Sequence, residues 1–289
     1  MQRIAVAGAT GVLGRALVPL LLAASYEVRA LTPSTAKAAD LAMAGAEVLE
    51  CDLLAPNSVA RLPDLVAGCT AVAHIATAIP RAPGAPGAWD VTTRLRTEGT
   101  RRLLDAALTA GVHRYIQQSI VMAYPDGGDR VLDEATALDP SPERASVCAP
   151  VIAMEGMIRD VPPSHLAWCI LRGGVFVGPG TFQDGVIAGL RAGTEVVPCD
   201  GRSFVSLVHV ADMAAAMLAA VRHAPGGSTF NINADPLRQG AYLDALAARS
   251  GAPPPPRDPA RPCPPSFRCS NAAARATLHW APEHGIWPS

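Results

Sequence analysis

The sequence predicts an α/β fold with a doubly wound parallel sheet and a small C-terminal lobe. Short apolar, β-branched runs alternate with helical stretches over the first two-thirds of the chain. The first run leads directly into three glycines spaced three apart, Gly8, Gly11 and Gly14. After Gly173 and Gly174 the alternation gives way to irregular sequence that is rich in glycine and proline. Alternation of this kind is typical of right-handed βαβ units, with helices on both faces of one sheet.

The predicted elements follow from apolar periodicity and from turn residues. The predicted core strands are Ile4–Ala7, Glu27–Leu31, Glu47–Glu50, Ala71–Ile75, Tyr115–Gln118 and Leu166–Leu171. The helices between them are predicted near 12–23, 35–44, 57–67, 89–110 and 150–160. Asn57 and Ser58 predict a cap for the third helix, and Gly111 predicts the end of the fourth. Later elements are predicted at 210–222, Thr229–Ile232, 238–249 and 270–278, with a stiff, extended, proline-rich segment at 251–265.

Composition excludes several classes of function. The chain has 289 residues, 49% of them apolar, and a formal net charge of −1, and no basic run suggests a nucleic-acid surface. Apolar stretches are interrupted before they reach the length of a membrane span. The first strand begins at once, which leaves no room for a signal peptide, so we expect a cytoplasmic protein. Seven cysteines without a CxxC pair predict free or buried thiols and no metal site.

The glycine loop predicts a dinucleotide site. A strand that ends in such a loop and opens a helix offers free N–H groups and a helix dipole to a pyrophosphate. Gly8 allows the tight turn, Gly11 allows close approach of the dinucleotide, and Gly14 allows the helix to pack on the strand. The alternative is a glycine turn without a ligand. The cofactor-binding residues predicted here are Gly8, Thr10, Gly11, Val12, Leu13 and Gly14.

Several strings, in order along nearly the whole chain, resemble the short-chain dehydrogenase/reductase superfamily, in particular its extended, epimerase/dehydratase-like and atypical members. The strings are Gly8–Gly14, Cys51–Leu53, Val72–Ala76, Glu98–Thr100, Gly111–Arg114, Ile170–Gly180, Val208–Asp212 and Ser270–Pro282. The resemblance implies a Rossmann-type dinucleotide-binding core at 1–172. It also implies a mostly substrate-binding lobe at 173–289, with 205–232 returning to the core.

The same resemblance assigns further residues. Asp52, with Leu53, is expected to hold the adenine ring, and Ala76 and Thr77 are expected to line the cofactor trough. His209 and Asp212 are expected where the sheet meets the lobe; a structural histidine and a helix cap are the alternatives. Relatives form dimers through helices that correspond to 89–110 and 150–160, so the resemblance implies a homodimer.

The chain departs from the superfamily at its chemistry. Members that transfer hydride usually use a Tyr-x-x-x-Lys pair, in which lysine lowers the pKa of the phenol. Here the one lysine is Lys37, in the adenosine half. Alignment on Glu155 places Val147 and Val151 at the pair's positions, with Pro150 between them in an expected first helical turn. Arg96 stands where an asparagine is usual, and Ser119 alone is retained.

Tyr124 is the candidate replacement for the missing phenol. It lies five residues after Ser119, in a segment that resembles an atypical branch of the superfamily. We hypothesise that Ser119, Tyr124 and Arg96 are catalytic, with the cation of Arg96 lowering the pKa of Tyr124. The alternative is that Tyr124 packs the loop and Arg96 is a solvated helix residue.

The dinucleotide preference is predicted from the end of the second strand. No carboxylate stands near Thr32 to hold a ribose 2′-hydroxyl, as an NAD enzyme requires. Arg15 and Lys37, with Ser34 and Thr35, could instead cradle a 2′-phosphate, and Thr32 and Ser119 complete the predicted cofactor-binding residues. The sequence therefore favours NADP and leaves NAD as the alternative.

The substrate prediction rests on residues that follow the strands. The loop from Ala78 to Trp89 leaves the carboxyl end of the fourth strand, where open α/β sheets bind ligands. Trp89, Met122, Phe176 and Phe182 are candidate apolar walls, and Arg172 and Arg202 add charge without forming a diphosphate clamp. The alternative is that these aromatic residues form the core of the lobe. A small, largely apolar or aromatic substrate is favoured over a nucleotide sugar.

The predicted function is an atypical NAD(P)-dependent oxidoreductase or epimerase-like enzyme. Two alternatives stay open because the tyrosine–lysine pair is missing. One is a redox-inactive NAD(P)-binding sensor or regulatory protein. The other is a non-redox isomerase, cyclase or dehydratase on the same fold.

Overall fold

The computed structural model of the protein describes residues 2–80 and 85–288. The strands formed by these residues are β1 (Arg3–Ala7), β2 (Glu27–Thr32), β3 (Glu47–Glu50), β4 (Ala71–His74), β5 (Arg114–Ile120), β6 (Val131–Leu132), β7 (Ala167–Gly173), β8 (Val175–Val177), β9 (Val197–Pro198), β10 (Phe204–Val205), β11 (Leu207–His209), β12 (Ser228–Ile232), β13 (Leu237–Arg238), β14 (Arg257–Asp258) and β15 (Arg268–Cys269).

The same residues also form α-helices. They are α1 (Val12–Ala23), α2 (Ala39–Met43), α3 (Ser58–Val66), α4 (Asp90–Arg94), α5 (Thr100–Thr109), α6 (Ala145–Arg159), α7 (Phe182–Arg191), α8 (Val210–His223), α9 (Gln239–Arg249) and α10 (Ala272–Leu278). A π-helical turn, Leu95–Gly99, joins α4 to α5. Among the residues described, no helix combines the length and the apolar character that crossing a membrane requires.

The central sheet has seven strands in the order β12-β7-β5-β4-β1-β2-β3. Strand β1 pairs in parallel with β2 on one side and with β4 on the other. The order reverses between β1 and β4, since successive strands lead away from β1 in opposite directions. In doubly wound sheets, ligands bind at such a reversal, beside the carboxyl ends of the strands. The predicted Rossmann-type fold is confirmed.

The chain divides into two compact units. Unit 1 contains 1–119, 140–171 and 214–229, and unit 2 contains 120–139, 172–213 and 230–289. The segment 120–139, placed in the predicted core, thus clusters with the lobe residues. The buried core of unit 1 includes Ile4, Val6 and Val72. In unit 2, one apolar cluster is built around Val197 and Leu246.

Three local predictions differ from the structure. Pro150 lies in the sixth position of α6, because this helix begins at Ala145 and not at 150. Its missing N–H leaves only one carbonyl, near the helix start, without its usual partner. Asn57 precedes α3, but its side chain makes no capping hydrogen bond. The proline-rich segment 251–265 contains β14, which pairs in parallel with β9.

The cysteine prediction is wrong in one respect. Cys199 and Cys263 form a disulfide, whereas the other five cysteines are buried and form no disulfide within the described part of the chain. The two partners are 64 residues apart in sequence. Their pairing depends on β14 lying against β9, a contact that the spacing of cysteines does not reveal.

Candidate functional site

The first turn of the glycine loop depends on Gly8. This residue has a φ of +95°, a conformation that side-chain-bearing residues rarely adopt. A Cβ placed on Gly8 would lie 2.6 Å from the Cα of Ala76. Glycine is therefore required both for the turn and for the close approach of the segment that follows β4.

Gly11 and Gly14 have different surroundings. A Cβ on Gly14 would lie 2.2 Å from the carbonyl oxygen of Ala9, so glycine lets α1 start directly against the turn. A Cβ on Gly11 would meet only the Gly8 oxygen, at 3.3 Å, and Gly11 is exposed. The first turn of α1 carries no acidic residue and no side-chain cap. The residues present fit a pyrophosphate, because open helix N-termini bind anions.

The end of β2 lies beside this loop. The hydroxyls of Thr10 and Thr32 are 3.2 Å apart, and the Ser34 amide donates to Thr32 at 3.3 Å. Arg15 forms an ion pair with Asp40 and donates to the carbonyl of Lys37 at 2.7 Å. The Asp40 pairing was missed because nothing in the sequence pattern marks this contact.

Lys37 is a cation beside this loop whose charge is not paired within the described part of the chain. Its side chain is exposed and makes no ion pair with the residues that the structure describes. Arg15, by contrast, is partly neutralised by Asp40. The predicted 2′-phosphate cradle therefore depends mainly on Lys37 and stays a prediction.

The adenine and trough residues lie in unit 1. Asp52 is exposed, and its carboxylate accepts the Leu54 amide at 2.9 Å. Leu53 is buried, and its carbonyl accepts from Arg102 at 2.8 Å. Ala76 and Thr77 lie two and three residues after the end of β4, and Thr77 is exposed. No contact described here tests the roles predicted for these residues.

Ser119 is buried near the end of β5. Its hydroxyl donates to Glu155 at 2.7 Å, and Glu155 also accepts from Arg159 at 3.3 Å. Ser119 and Glu155 are each only 2% exposed. The one hydroxyl proton of this serine is thus engaged inside the protein. The sequence could not pair them, because they are 36 residues apart.

Tyr124 is fully buried in unit 2. Its hydroxyl donates to Asn231 at 2.9 Å and accepts from Arg172 at 2.6 Å. The Arg172 guanidinium also lies over the ring, 4.8 Å from its centroid. Burial raises the pKa of Tyr124 to about 12, against the lowering effect of Arg172. The prediction of a lowered pKa is wrong, because desolvation of the phenolate outweighs the adjacent charge.

Arg96 lies within the π-helical turn. It is half-buried, and burial lowers the pKa of its guanidinium. Among the described residues it has no hydrogen bond or ion pair. The flanking Arg94 and Arg102 both pair with Glu98. Arg96 therefore differs from its neighbours in lacking a compensating charge within the described part of the chain.

A buried polar cluster around His74 was not predicted. His74 Nδ1 lies 3.0 Å from the Tyr115 hydroxyl and 3.4 Å from that of Thr100. Burial lowers the pKa of His74 to about 4, so the ring is neutral at pH 7. Its Nε2 has no hydrogen-bond partner among the described residues. The signal in the sequence was a histidine in an otherwise apolar strand.

The residues predicted to contact the substrate do not all line one cavity within the described part of the chain. Phe176 and Phe182 line a cavity of about 320 Å³ in unit 2. Met122 packs instead against the buried cluster that contains Tyr124. Trp89 precedes α4 and is partly exposed, and Arg202 lies on the surface beside Asp200. Within the predicted loop from Ala78 to Trp89, residues 81–84 lie outside the described residues.

Asp212 binds the C-terminal tail. It lies inside α8, so the predicted helix cap is wrong. Its buried carboxylate accepts the Glu283 amide at 3.1 Å and His284 Nδ1 at 2.7 Å. The ring of His209 stacks on His284, with centroids 4.9 Å apart. The sequence could not show this contact, since the tail lies more than 70 residues away.

Comparisons with known proteins agree with this architecture. A 3-diazoavenalumate denitrifying reductase from a Streptomyces species is 33% identical over an alignment of 303 positions, which covers 99% of this chain and 98% of that protein. A short-chain dehydrogenase/reductase superfamily protein from Agrobacterium tumefaciens, solved with bound NAD, is 25% identical. Its TM-score is 0.80, over 99% of this chain and 94% of that chain.

A further solved structure supports the fold alone. It is DesIV, a dTDP-glucose 4,6-dehydratase from Streptomyces venezuelae with NAD bound, at 21% identity and a TM-score of 0.81, covering 99% of this chain and 93% of that chain. The model of the NAD-dependent epimerase/dehydratase family matches residues 4–233. This match covers most of the seven-stranded sheet and most of the residues discussed above. The chain belongs to the NAD-dependent epimerase/dehydratase family.

Proposed function

We propose that this protein is an NADPH-dependent reductase that removes the diazo nitrogen from a small, largely apolar arene diazo compound. One observation carries the proposal, namely the similarity along the full chain to a denitrifying reductase, at 33% identity. That protein's name describes both a reductive step and a diazo substrate. The residues of this chain supply a physical reason why such a substrate would suit it.

The burial and hydrogen bonding of the Ser119 and Tyr124 hydroxyls disfavour carbonyl reduction. When hydride reaches a carbonyl, negative charge develops on oxygen and an acid or an oxyanion donor is needed. Ser119 and Tyr124 are buried and already hydrogen-bonded within the protein. The sequence also lacks a Tyr-x-x-x-Lys pair, since its only lysine is Lys37 and Pro33 stands four residues before it.

An arenediazonium ion avoids this requirement. It already carries positive charge, so hydride addition at the terminal nitrogen gives a neutral aryldiazene without an acid. The aryldiazene then breaks its C–N bond and releases N2, while the N–H proton moves to the ring carbon. In total, ArN2⁺ and NADPH give ArH, N2 and NADP⁺, which balances atoms, charge and electrons.

The residues of unit 1 are assigned to binding the dinucleotide. Gly8, Gly11 and Gly14 would receive the pyrophosphate at the start of α1. Lys37 would bind the 2′-phosphate, which is the basis for proposing NADPH over NADH. When bound, the dinucleotide supplies the hydride.

The test uses para-carboxybenzenediazonium labelled with ¹⁵N at both nitrogens. NADPH oxidation is followed by absorbance, labelled N2 by mass spectrometry and benzoate by chromatography, against a mixture without protein. We expect equal amounts of NADP⁺, N2 and benzoate, and faster turnover with NADPH than with NADH. Protein that binds NADPH but does not accelerate N2 release would refute the proposal. Faster turnover of a carbonyl panel than of the diazonium would also refute it.

A further inference from the structure

Arg96 lies on a helix next to the dinucleotide edge of unit 1, by which we mean the turn at Gly8 and the residues that follow β4. One helical turn before it, Thr92 accepts a hydrogen bond from the Ala78 amide at 3.2 Å and donates to the Ala78 carbonyl. Ala78 follows β4 closely, and Ala76 lies against the turn at Gly8. Residues four apart share one face of a helix. Arg96 is therefore on the helix face that is turned towards the carboxyl end of β4.

The neighbouring helix faces have other partners. Arg94 donates to Glu98 at 2.9 Å, and Arg102 lies 3.6 Å from the same carboxylate. The position of Gly99 faces Leu53, whose Cδ1 would lie 3.6 Å from an added Cβ. Thr93 and Thr97 line a groove against α6. The helix face that contains Arg96 is thus different from the face with the ion pairs of Glu98, the face that packs on Leu53 and the face that lines the groove.

The charge of Arg96 is not compensated by the described residues. Removing a guanidinium from water without a counter-charge is unfavourable. Arginine stays protonated at pH 7, and its planar fork matches a carboxylate. The π-helical turn that carries it, Leu95–Gly99, is a feature that is frequent at functional sites. An anionic ligand would supply the missing counter-charge.

We propose that Arg96 binds the carboxylate of the substrate and so orients it at the dinucleotide edge of unit 1. The substrate class is accordingly an arene that carries a carboxylate. This inference rests on the proposed function for the aromatic nature of the substrate and for the reaction that the substrate undergoes. The carboxylate-binding role of Arg96 can be measured without turnover.

The binding test compares benzoate with benzamide, its neutral counterpart of the same shape. Affinities are measured by calorimetry on the full-length protein saturated with NADP⁺. We expect the wild type to bind benzoate about tenfold more tightly than benzamide, and Arg96→Gln to abolish this preference. Arg96→Lys retains a charge but loses the fork, so a partial preference of about threefold is expected. The matched control is Arg101→Gln, which removes an exposed arginine from the neighbouring turn and should leave the preference unchanged.

Two results would overturn the inference. One is a benzoate preference that survives in Arg96→Gln. The other is a tenfold loss of NADP⁺ affinity in that variant, because the anion at Arg96 would then be a phosphate of the dinucleotide. Thermal melting verifies that each variant is folded, and Arg96→Lys decides the matter if Arg96→Gln does not fold. An Arg96-dependent benzoate preference in a protein that releases no N2 would refute the proposed function and leave the carboxylate site standing.

Discussion

Alanine substitutions at Gly11 and Gly14 should separate cofactor binding from folding. Gly11 has φ and ψ of −74° and 172°, which alanine adopts without strain. Its added Cβ would have a single close neighbour, the Gly8 oxygen at 3.3 Å. The structure thus tolerates Gly11→Ala, and a stabilisation of up to about 0.5 kcal/mol is expected from reduced entropy of the unfolded chain.

The same Cβ at Gly11 would occupy the exposed position predicted for the dinucleotide. If it prevents one charge-assisted hydrogen bond from a backbone N–H to the pyrophosphate, the loss is about 2 kcal/mol. That corresponds to a roughly thirtyfold rise in the dissociation constant for NADPH. The measurement is a fluorescence titration of NADPH, with urea unfolding of the apo protein alongside.

Gly14→Ala provides the opposite case. Its Cβ would lie 2.2 Å from the Ala9 oxygen and 2.5 Å from the Ala9 carbonyl carbon. Since ordinary carbon–oxygen contacts need about 3.4 Å, α1 would have to move by roughly 1 Å, and overpacking of this kind costs about 1–3 kcal/mol. Unfolding of the apo protein should reveal this loss directly. Gly11→Ala that binds NADPH within twofold of the wild type, or Gly14→Ala that is as stable as the wild type, would refute the reasoning.

The remaining predictions concern charge, buried polar groups and the disulfide. Lys37→Ala should weaken NADPH binding about tenfold and leave NADH binding unchanged in fluorescence titrations; equal losses for both would contradict the 2′-phosphate role. Tyr124→Phe should lower the free energy of unfolding by about 2 kcal/mol, because Arg172 and Asn231 lose their hydroxyl partner. Since burial raises the pKa of Tyr124 to about 12, the wild-type pH–rate profile should show no dependence on this phenol from pH 7 to 10. His74 has a folded pKa of about 4, below its usual 6.5. Neutral His74 therefore contributes fully to the free energy of unfolding above pH 6.5, and about 3 kcal/mol of that free energy is lost as the pH falls to 4. In urea unfolding, His74→Gln should not show this loss of stability at low pH. If the free energy of unfolding of the variant changed with pH as it does in the wild type, His74 would be excluded as the source of the loss. Cys199→Ser should lower stability by about 2–4 kcal/mol under oxidising conditions only, and the wild type with reductant should match it.

Features that depend on residues close together in the sequence could be predicted, whereas contacts between distant residues could not. The strand, glycine loop and helix at the N-terminus were predictable because Gly8 and Gly14 act on backbone a few residues away or on the next strand. The Ser119–Glu155 and Tyr124–Arg172 contacts join residues 36 and 48 apart, so no local pattern contains them.

The start of α6 was misplaced for a related reason. Proline favours the first turn of a helix, which set the predicted start at Pro150. The helix instead begins five residues earlier, at Ala145, after a short 3₁₀ turn, Pro142–Arg144. Burial of Pro150 and Val151 stabilises this arrangement through packing that local propensity does not include.

The two hydroxyl groups predicted to be catalytic are poorly placed to protonate a substrate. A phenol with a pKa near 12 and a serine whose proton is held by Glu155 are both poor acids for a reacting oxygen. Arg96 remains as a half-buried cation without a counter-charge among the described residues, and arginine binds anions without giving up a proton. These features support the proposed acceptor, which is already activated for hydride, and the proposed carboxylate on the substrate. The missing lysine is then consistent with a change in the chemistry of the substrate, and loss of activity is not required to explain it.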